Sequence, residues 1–137
     1  MSLSQENISS TINDFSFGKE YKICSKKKID LLFAKGKTFK SFPFVLYYIE
    51  SDFEENVPFQ FVFSAPKRSF KRAHDRNYIK RLFREVVRLR KNEIEALFPN
   101  QKMHFFMIYS NKELPNLSQL TKDFDKLIVK LKTQKTN

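Results

Sequence analysis

Several kinds of residue are scarce in this chain of 137 residues, and each shortage argues against a class of protein. Cys24 is the only cysteine, so no disulfide can form within the chain and a reducing compartment is favoured. One cysteine and two histidines, His74 and His104, give no spacing typical of a metal site. No apolar run approaches the ~18 residues that a membrane-spanning helix needs. The first residues lack the basic and apolar regions of a signal peptide, and we expect a cytoplasmic protein.

Glycine and acidic residues are also scarce. Only two glycines accompany sixteen phenylalanines, which predicts an aromatic-rich core with few tight turns. The length and the hydrophobic content of 41% suit one domain built around a single core. Lys and Arg outnumber Asp and Glu by 26 to 15, which gives a net charge of +11. Such an excess favours a polyanionic partner.

The hydrophobic pattern predicts an α+β protein, a small α/β sandwich in which a mixed four-stranded sheet packs against three helices. A single domain is predicted over residues 15–132, after a disordered polar extension at 1–14 and before a frayed tail at 133–137. The predicted strands are 37–39, 44–49, 59–63 and 103–109. The predicted helices run from a cap at Ser25 to Gly36, over 74–97, and from a cap at Ser118.

Most of the positive charge is concentrated in one segment. Between Ser64 and Lys91, eleven Lys and Arg residues face only Asp75 and Glu85, so this segment carries nine of the eleven net positive charges. At 100° per residue, the helix predicted over 74–97 has its basic residues on one face and its apolar residues on the other. Arg90 and Val87 are the exceptions to this sorting.

The basic face has three possible interpretations. Solvated helix faces usually mix charges of both signs, whereas this face is almost entirely positive, so its charges repel one another unless an anion is bound. Arginine, which predominates here, can bind two phosphate oxygens at once. Asn77 can reach a 2′-hydroxyl or a base edge. A membrane surface fits less well because the apolar face is needed for the core. We therefore favour nucleic-acid binding over a solvated face.

Three stretches of the chain are PKRSFKRAHDRNYIKRLFREVVRLRK, LLFAKGK and FPFVLYYI. They resemble three parts of one family, the bacterial ribonuclease P protein component. The first stretch is similar to the family's Arg-Asn-Arg region, the second is similar to the end of its first helix, and the third is similar to one of its strands. The resemblance covers about residues 17–132, with two departures: Tyr78 replaces the third residue of the triplet, and Lys71 replaces a glycine. The positions that match the motif are Arg76, Asn77, Lys80, Arg81, Arg84 and Glu85.

The resemblance implies a fold, an activity and partners. The implied fold holds the basic helix in a left-handed βαβ crossover, which is rare because about 98% of such units are right-handed. The implied role is that of the protein subunit of a ribonucleoprotein endoribonuclease, ribonuclease P, in which a catalytic RNA removes the 5′ leader from precursor tRNA. The resemblance also implies that Mg²⁺ is bound mainly by the RNA subunit and that the single-stranded leader lies in a cleft between the first helix and the sheet.

Two sets of residues are candidates for RNA contacts, and none is a candidate for catalysis or metal binding. The resemblance points to Ile29, Phe33 and Tyr47 for the leader-binding cleft, although in a chain with sixteen phenylalanines a given aromatic residue is more often part of the core. The basic loop and helix contribute the RNA-binding set: Lys67, Arg68, Lys71, Arg72, Arg76, Asn77, Lys80, Arg81, Arg84 and Arg88.

Two alternatives remain at this point. A non-enzymatic ribosomal or ribonucleoprotein-assembly factor would share the small size, the high pI and a basic helix. A DNA-binding regulator would usually offer a short recognition helix and a dimer interface, and neither is evident in the sequence. The three stretches in matching order favour the ribonuclease P subunit.

Overall fold

The computed structural model describes residues 18–136, so the extension predicted at 1–14 lies outside the described residues. A short 3-10 turn, Lys19–Tyr21, precedes four α-helices and four β-strands. In chain order these are α1 (Lys26–Lys35), β1 (Lys37–Ser41), β2 (Phe44–Glu50), β3 (Phe59–Ser64), α2 (Ala73–Leu89), α3 (Lys91–Leu97), β4 (Met103–Tyr109) and α4 (Leu117–Thr136).

The four strands form one mixed sheet, which confirms the predicted α+β class and the strand count. The strand order is β1-β2-β4-β3. Strands β1, β2 and β4 pair antiparallel, whereas β3 and β4 pair parallel, with Ser64 opposite Ile108. Because β3 and β4 are parallel, the chain must cross over between them, and this connection contains α2 and α3. The left-handedness of this crossover stays a prediction.

The sheet has two different faces because successive side chains point to opposite sides. One face carries Phe44 of β2, whose ring packs against Phe83 of α2 and Phe124 of α4 at centroid distances of 5.6 and 5.9 Å. Phe105 of β4 lies on the same side and packs against Phe98, which follows α3. Three helices thus bury this face as the core, and α1 lies on the opposite face.

Helix α1 begins and ends where the sequence predicted. The Ser25 hydroxyl accepts a hydrogen bond from the Lys28 amide at 3.3 Å, which caps the first turn. Gly36 follows the last turn with an ordinary negative φ of −74°, so a left-handed conformation is not the reason for glycine there. The reason is space: a Cβ at this position would lie 2.3 Å from the Leu32 carbonyl oxygen and 3.0 Å from that of Tyr48.

The single helix predicted over 74–97 is wrong: it is two helices that meet at Arg90. No glycine or proline marks the break, and Arg90 leaves the helical region with φ −114° and ψ 22°. Its guanidinium donates two hydrogen bonds to the Asp125 carboxylate of α4, at 2.7 and 3.2 Å. This contact between helices explains why Arg90 did not fit the basic face: it joins α2 to α4.

The last helix starts one residue before the predicted cap and ends later than predicted. Asn116, not Ser118, is the cap, because its side-chain oxygen accepts a hydrogen bond from the Gln119 amide at 2.9 Å. Residues 133–136, predicted as part of a frayed tail, are helical. This segment contains no proline or glycine to stop the helix, and the Thr133 hydroxyl donates to the Val129 carbonyl at 3.0 Å.

A buried histidine lies at the start of β4, on the face opposite the three-helix core. The Gln60 amide nitrogen donates to the Glu20 carbonyl at 2.7 Å, so its oxygen faces His104 Nε2, also at 2.7 Å, and requires Nε2 to carry the proton. His104 is 1% exposed, and within the described residues its Nδ1 atom has no hydrogen-bond partner. Burial, with a smaller contribution from Lys28, lowers the pKa of His104 to about 4.

His104 therefore predicts how stability depends on pH. The pKa of His104 is lower in the folded than in the unfolded state, so acid protonates the unfolded state first. The stability that the neutral His104 contributes is complete above pH ~6.5 and is lost as the pH falls towards 4. The free energy of unfolding should fall by roughly 3 kcal/mol over this range. The His104→Gln variant keeps a donor near Gln60 but cannot titrate, so its free energy of unfolding should fall less steeply over that range. Urea unfolding between pH 4 and 7 measures the slope.

The matched control is His74→Gln, which removes the chain's other histidine from an exposed position at the start of α2. A His104→Gln variant with the same slope as the wild-type protein would contradict the assignment of this effect to His104.

Gly36 gives a second prediction. Gly36→Ala forces a methyl group against two backbone carbonyl oxygens that belong to α1 and β2, and should destabilise the fold by about 1–3 kcal/mol. Gly18→Ala is the control, because the new methyl group would meet only the end of the flexible Glu20 side chain. Urea unfolding at neutral pH measures both, and equal stabilities would show that the close approach at Gly36 is relieved without cost.

Candidate nucleic-acid interface

Helix α2 has the two faces that the sequence predicted. Its apolar side is buried in the core, with Ile79, Phe83, Val86 and Val87 each at most 1% exposed. The side chains of Asn77, Arg81 and Arg84 are exposed, and Lys80 is half-buried. Burial of the apolar face fixes the rotation of the helix, so the basic face is held towards solvent.

The loop before α2 carries four more of the predicted RNA-binding residues. Lys67, Arg68, Lys71 and Arg72 are all exposed, while Phe70 between them is buried and packs 5.9 Å from the Tyr109 ring. We call residues 67–72 the basic loop. Phe70 anchors it and leaves the charged side chains outside.

Arg76 has a structural contact that the sequence did not predict. Its Nη1 atom donates hydrogen bonds to the carbonyl oxygens of Phe70 and Lys71, at 2.7 and 2.9 Å. Arg76 therefore holds the basic loop against the first turn of α2. Its predicted RNA contact stays a prediction, but part of its guanidinium is committed to the loop.

The positive charge of the interface is only slightly neutralised. Arg88 pairs with Glu85, with 3.1 Å between Nε and Oε1, and this hydrogen bond lowers the pKa of Glu85 and keeps it ionised. Among residues 18–136, no carboxylate forms an ion pair with Lys80, Arg81 or Arg84. These three cations are available to an external anion.

A groove of about 680 Å³ lies between the basic helix and Ile29, one of the candidates for the leader cleft. One wall comes from α2, the opposite wall from α1 and the segment before it, and Val62 of β3 lies between them. Of the three residues predicted for the leader cleft, Ile29 lines this groove, whereas Phe33 and Tyr47 do not. The candidate residues in its lining are Ile29, Asn77, Lys80 and Arg84.

The aromatic part of the cleft lies on the sheet face that α1 partly covers. Phe33 of α1 packs against Tyr47 of β2 and Phe106 of β4, with ring centroids 4.8 and 4.6 Å away. Tyr47 and Phe106 are directly paired across the two strands. Phe33 is 44% exposed and both of its partners are half-buried, so these three rings lie outside the main core.

Phe106 was missed as a cleft residue. The alternation of β4 could have identified it, because the side chains of His104 and Phe106 point to the sheet face opposite to that of Phe105 and Met107. The sequence did not indicate which of the two alternating sets of side chains would face the core.

Tyr78 takes no part in the basic face. Its hydroxyl donates to the Pro115 carbonyl at 3.1 Å, and its ring packs against the core. At this position, where the family has the third residue of its Arg-Asn-Arg triplet, Tyr78 therefore joins α2 to the loop before α4.

Neither a metal cluster nor a membrane helix occurs in the described part of the chain. Residues 18–136 contain no group of three or more His, Cys, Asp or Glu side chains that could hold a metal ion. No helix in the same range is long and apolar enough to span a bilayer.

Two curated proteins are similar to this chain. The ribonuclease P protein components of two strains of Porphyromonas gingivalis are each 29% identical to it, over 121 and 122 residues. Each alignment covers 85% of this chain and 87% of the relative.

Solved structures share the fold at lower identity. The RNase P protein of Staphylococcus aureus matches with a TM-score of 0.63 at 20% identity, over 81% of this chain and 94% of that one. The RNase P protein of Thermotoga maritima matches with a TM-score of 0.62 at 18% identity, over 78% and 94%. The family model for Ribonuclease P matches residues 17–132. Since this match spans most of the sequence, the chain belongs to the ribonuclease P protein family.

Proposed function

We propose that this chain is the protein subunit of ribonuclease P, which binds the catalytic RNA and the 5′ leader of precursor tRNA and promotes endonucleolytic maturation of the tRNA 5′ end. One observation carries the proposal beyond family membership: the groove in which Asn77, Lys80 and Arg84 of α2 lie with Ile29 of α1 and apolar side chains of β3. A strand of RNA needs both kinds of surface, one for its phosphates and one for its bases.

The cleft suits a single strand of variable sequence. Phe33 is partly exposed above the paired Tyr47 and Phe106, so unpaired bases can stack on this cluster. Stacking on an aromatic ring contributes roughly 1–3 kcal/mol per base and tolerates any base, because every base has a π-face. Leaders differ among precursor tRNAs, and a binding mode based on stacking accommodates them.

The basic face suits phosphates. Arg81 and Arg84 carry planar guanidinium groups that can each donate to two phosphate oxygens, and Lys80 adds a compact charge. Because the three lack acidic partners among residues 18–136, binding an anion relieves their mutual repulsion. This face and the basic loop are the proposed contact with the catalytic RNA.

The chain's own contribution is binding and orientation. Hydrolysis is assigned to the RNA subunit, and Mg²⁺, bound mainly by that RNA, would supply charge stabilisation at the cleaved phosphate. The residues of this chain would hold the leader and the catalytic RNA in one arrangement. Both partners are cytoplasmic RNAs in this proposal, and so is the assembled enzyme.

Reconstitution with the cognate catalytic RNA tests the proposal. Adding the chain should raise the rate of leader removal from precursor tRNA at low Mg²⁺, because protein cations replace part of the metal-ion atmosphere around the RNA. A gel assay of 5′-end cleavage measures the rate. Unchanged cleavage, together with cofractionation of the chain with ribosomes, would favour the ribosomal or assembly-factor alternative.

The same reconstituted enzyme tests the cleft. Tyr47→Ala removes a ring from the aromatic cluster and should weaken binding of precursor tRNA to the assembled enzyme about 5- to 150-fold, the equivalent of stacking on one base. Mature tRNA, which lacks a leader, should bind equally to both enzymes. Leu31→Ala is the control, since Leu31 is exposed on α1 and is not part of the aromatic cluster.

The basic face predicts the salt dependence of RNA binding. In a plot of log affinity against log salt concentration, each neutralised phosphate contributes roughly 0.7 to the slope. The triple variant Lys80→Ala, Arg81→Ala and Arg84→Ala should therefore have a slope shallower by about 2. Filter binding to the catalytic RNA over a range of salt concentrations measures this slope.

The control for that experiment removes the same charge elsewhere. Lys122, Lys126 and Lys130 are exposed on α4 at four-residue spacing, and their triple alanine variant should keep the wild-type slope. Equal changes in both variants would mean that only net charge matters and that α2 is not the binding face.

A further inference from the structure

The most exposed large hydrophobic side chain among the described residues is Phe42, at 70%. It lies in the two-residue turn between β1 and β2, outside the aromatic cluster of Phe33, Tyr47 and Phe106. Turns of this kind usually contain glycine, asparagine or aspartate, because these residues suit tight backbone geometry and water. An exposed phenylalanine here has no function in the core.

The turn holds Phe42 in a fixed position. On either side, Ser41 and Phe44 pair as the last residues of the β1–β2 ladder. The Pro43 carbonyl accepts a hydrogen bond from the Ser110 amide at 2.8 Å, which ties the turn to the end of β4. Because the backbone of the turn is already ordered, it loses little further conformational freedom when the Phe42 ring binds a partner.

Phe42 lies at the same end of the sheet as the basic loop. Phe44 pairs with Tyr109, so the β1–β2 turn lies beside the end of β4. Ser64 pairs with Ile108 in the parallel direction, so β3 ends at the same edge, and the basic loop follows it. With strands about 4.8 Å apart, only β2 and β4 separate the turn from that loop.

The charge around this end of the sheet is strongly positive. Lys40 and Lys112 are exposed beside the turn, and the basic loop adds four more cations. In residues 65–72 and 110–116 the only acidic residue is Glu113. One further apolar side chain, Leu114, is 51% exposed in the loop after β4.

We propose that the RNA-binding surface extends from the basic loop to the β1–β2 turn, where Phe42 stacks on an unpaired base while the basic loop binds the adjacent phosphates. The surface is continuous with the basic face of α2, because the basic loop leads directly into that helix. The inference rests on the proposed function in naming the catalytic RNA as the ligand.

RNA fits this surface better than the other partners that an exposed phenylalanine could have. A protein interface is depleted in lysine near its centre, whereas Lys40 and the lysines of the basic loop lie at the same end of the sheet as Phe42. Binding to a bilayer requires a broad apolar face, and only Phe42 and Leu114 are strongly exposed at this end.

A single tryptophan can report on this contact, because the chain contains none. In the Phe42→Trp variant, stacking on a base should quench the indole fluorescence when the cognate catalytic RNA or a hairpin RNA with an unpaired oligoadenosine overhang is added. Val129→Trp, on the exposed side of α4, is the control and should keep its fluorescence.

Affinity provides the second measurement. Phe42→Ala should weaken binding to the catalytic RNA about 5- to 150-fold, and Phe42→Tyr, which keeps the ring, should restore most of it. Val129→Ala should bind like the wild-type chain. Because the Phe42 side chain is exposed, the variants should fold normally, which circular dichroism verifies.

The outcomes separate this inference from the proposed function. If the wild-type chain binds the catalytic RNA, and Phe42→Ala binds it and the hairpin equally well, the inference is overturned while the proposed function stands. If only the hairpin is bound, with the predicted loss in Phe42→Ala, the RNA-binding surface stands and the proposed function fails. Quenching by phosphatidylglycerol vesicles alone would overturn the inference in favour of a membrane.

Discussion

The alternation of the central strand β4 is the constraint on which the other features depend. Its side chains at 103, 105, 107 and 109 are buried under three helices, and those at 104, 106 and 108 face the other way. Pairing with β2 and β3 extends both patterns across the sheet. One strand therefore supplies the hydrophobic core on one side and the floor of an aromatic cleft on the other, so a slip of one residue would exchange the two.

Helix α2 combines a stabilising apolar face with a basic face whose charges repel one another. Its apolar face is buried almost completely, which stabilises the helix enough to hold like charges close together on the opposite face. The arginines of this region then divide by partner. Arg76 holds the basic loop, Arg88 pairs with Glu85 and Arg90 contacts α4. Within residues 18–136, Arg81 and Arg84 form no ion pair. The repulsion that remains is concentrated where the proposed RNA contacts lie.

Local patterns predicted most of the fold, and two of the features that they missed depend on contacts between residues distant in the chain. The four strands and α1 were predicted because alternation, the Ser25 cap and Gly36 are encoded by neighbouring residues. The break at Arg90 was missed because its partner, Asp125, is 35 residues away. The contact of Tyr78 was not predicted for the same reason, since its hydroxyl donates to the Pro115 carbonyl in a distant loop. Contacts of this kind leave no trace in a local window of sequence.

The sequence by itself determined the composition of the site: a helix with one basic and one apolar face, a basic loop before it, and aromatic residues in alternating strands. Those properties follow from the helical and strand periods, which are local. Tertiary structure decided which surfaces meet. The parallel pairing of β3 with β4 sets α2 beside Ile29 in one groove, and the β2–β4 register joins Tyr47 to Phe106 under Phe33. That arrangement depends on how the sheet is assembled, because the groove and the aromatic cluster are built from residues distant in the chain.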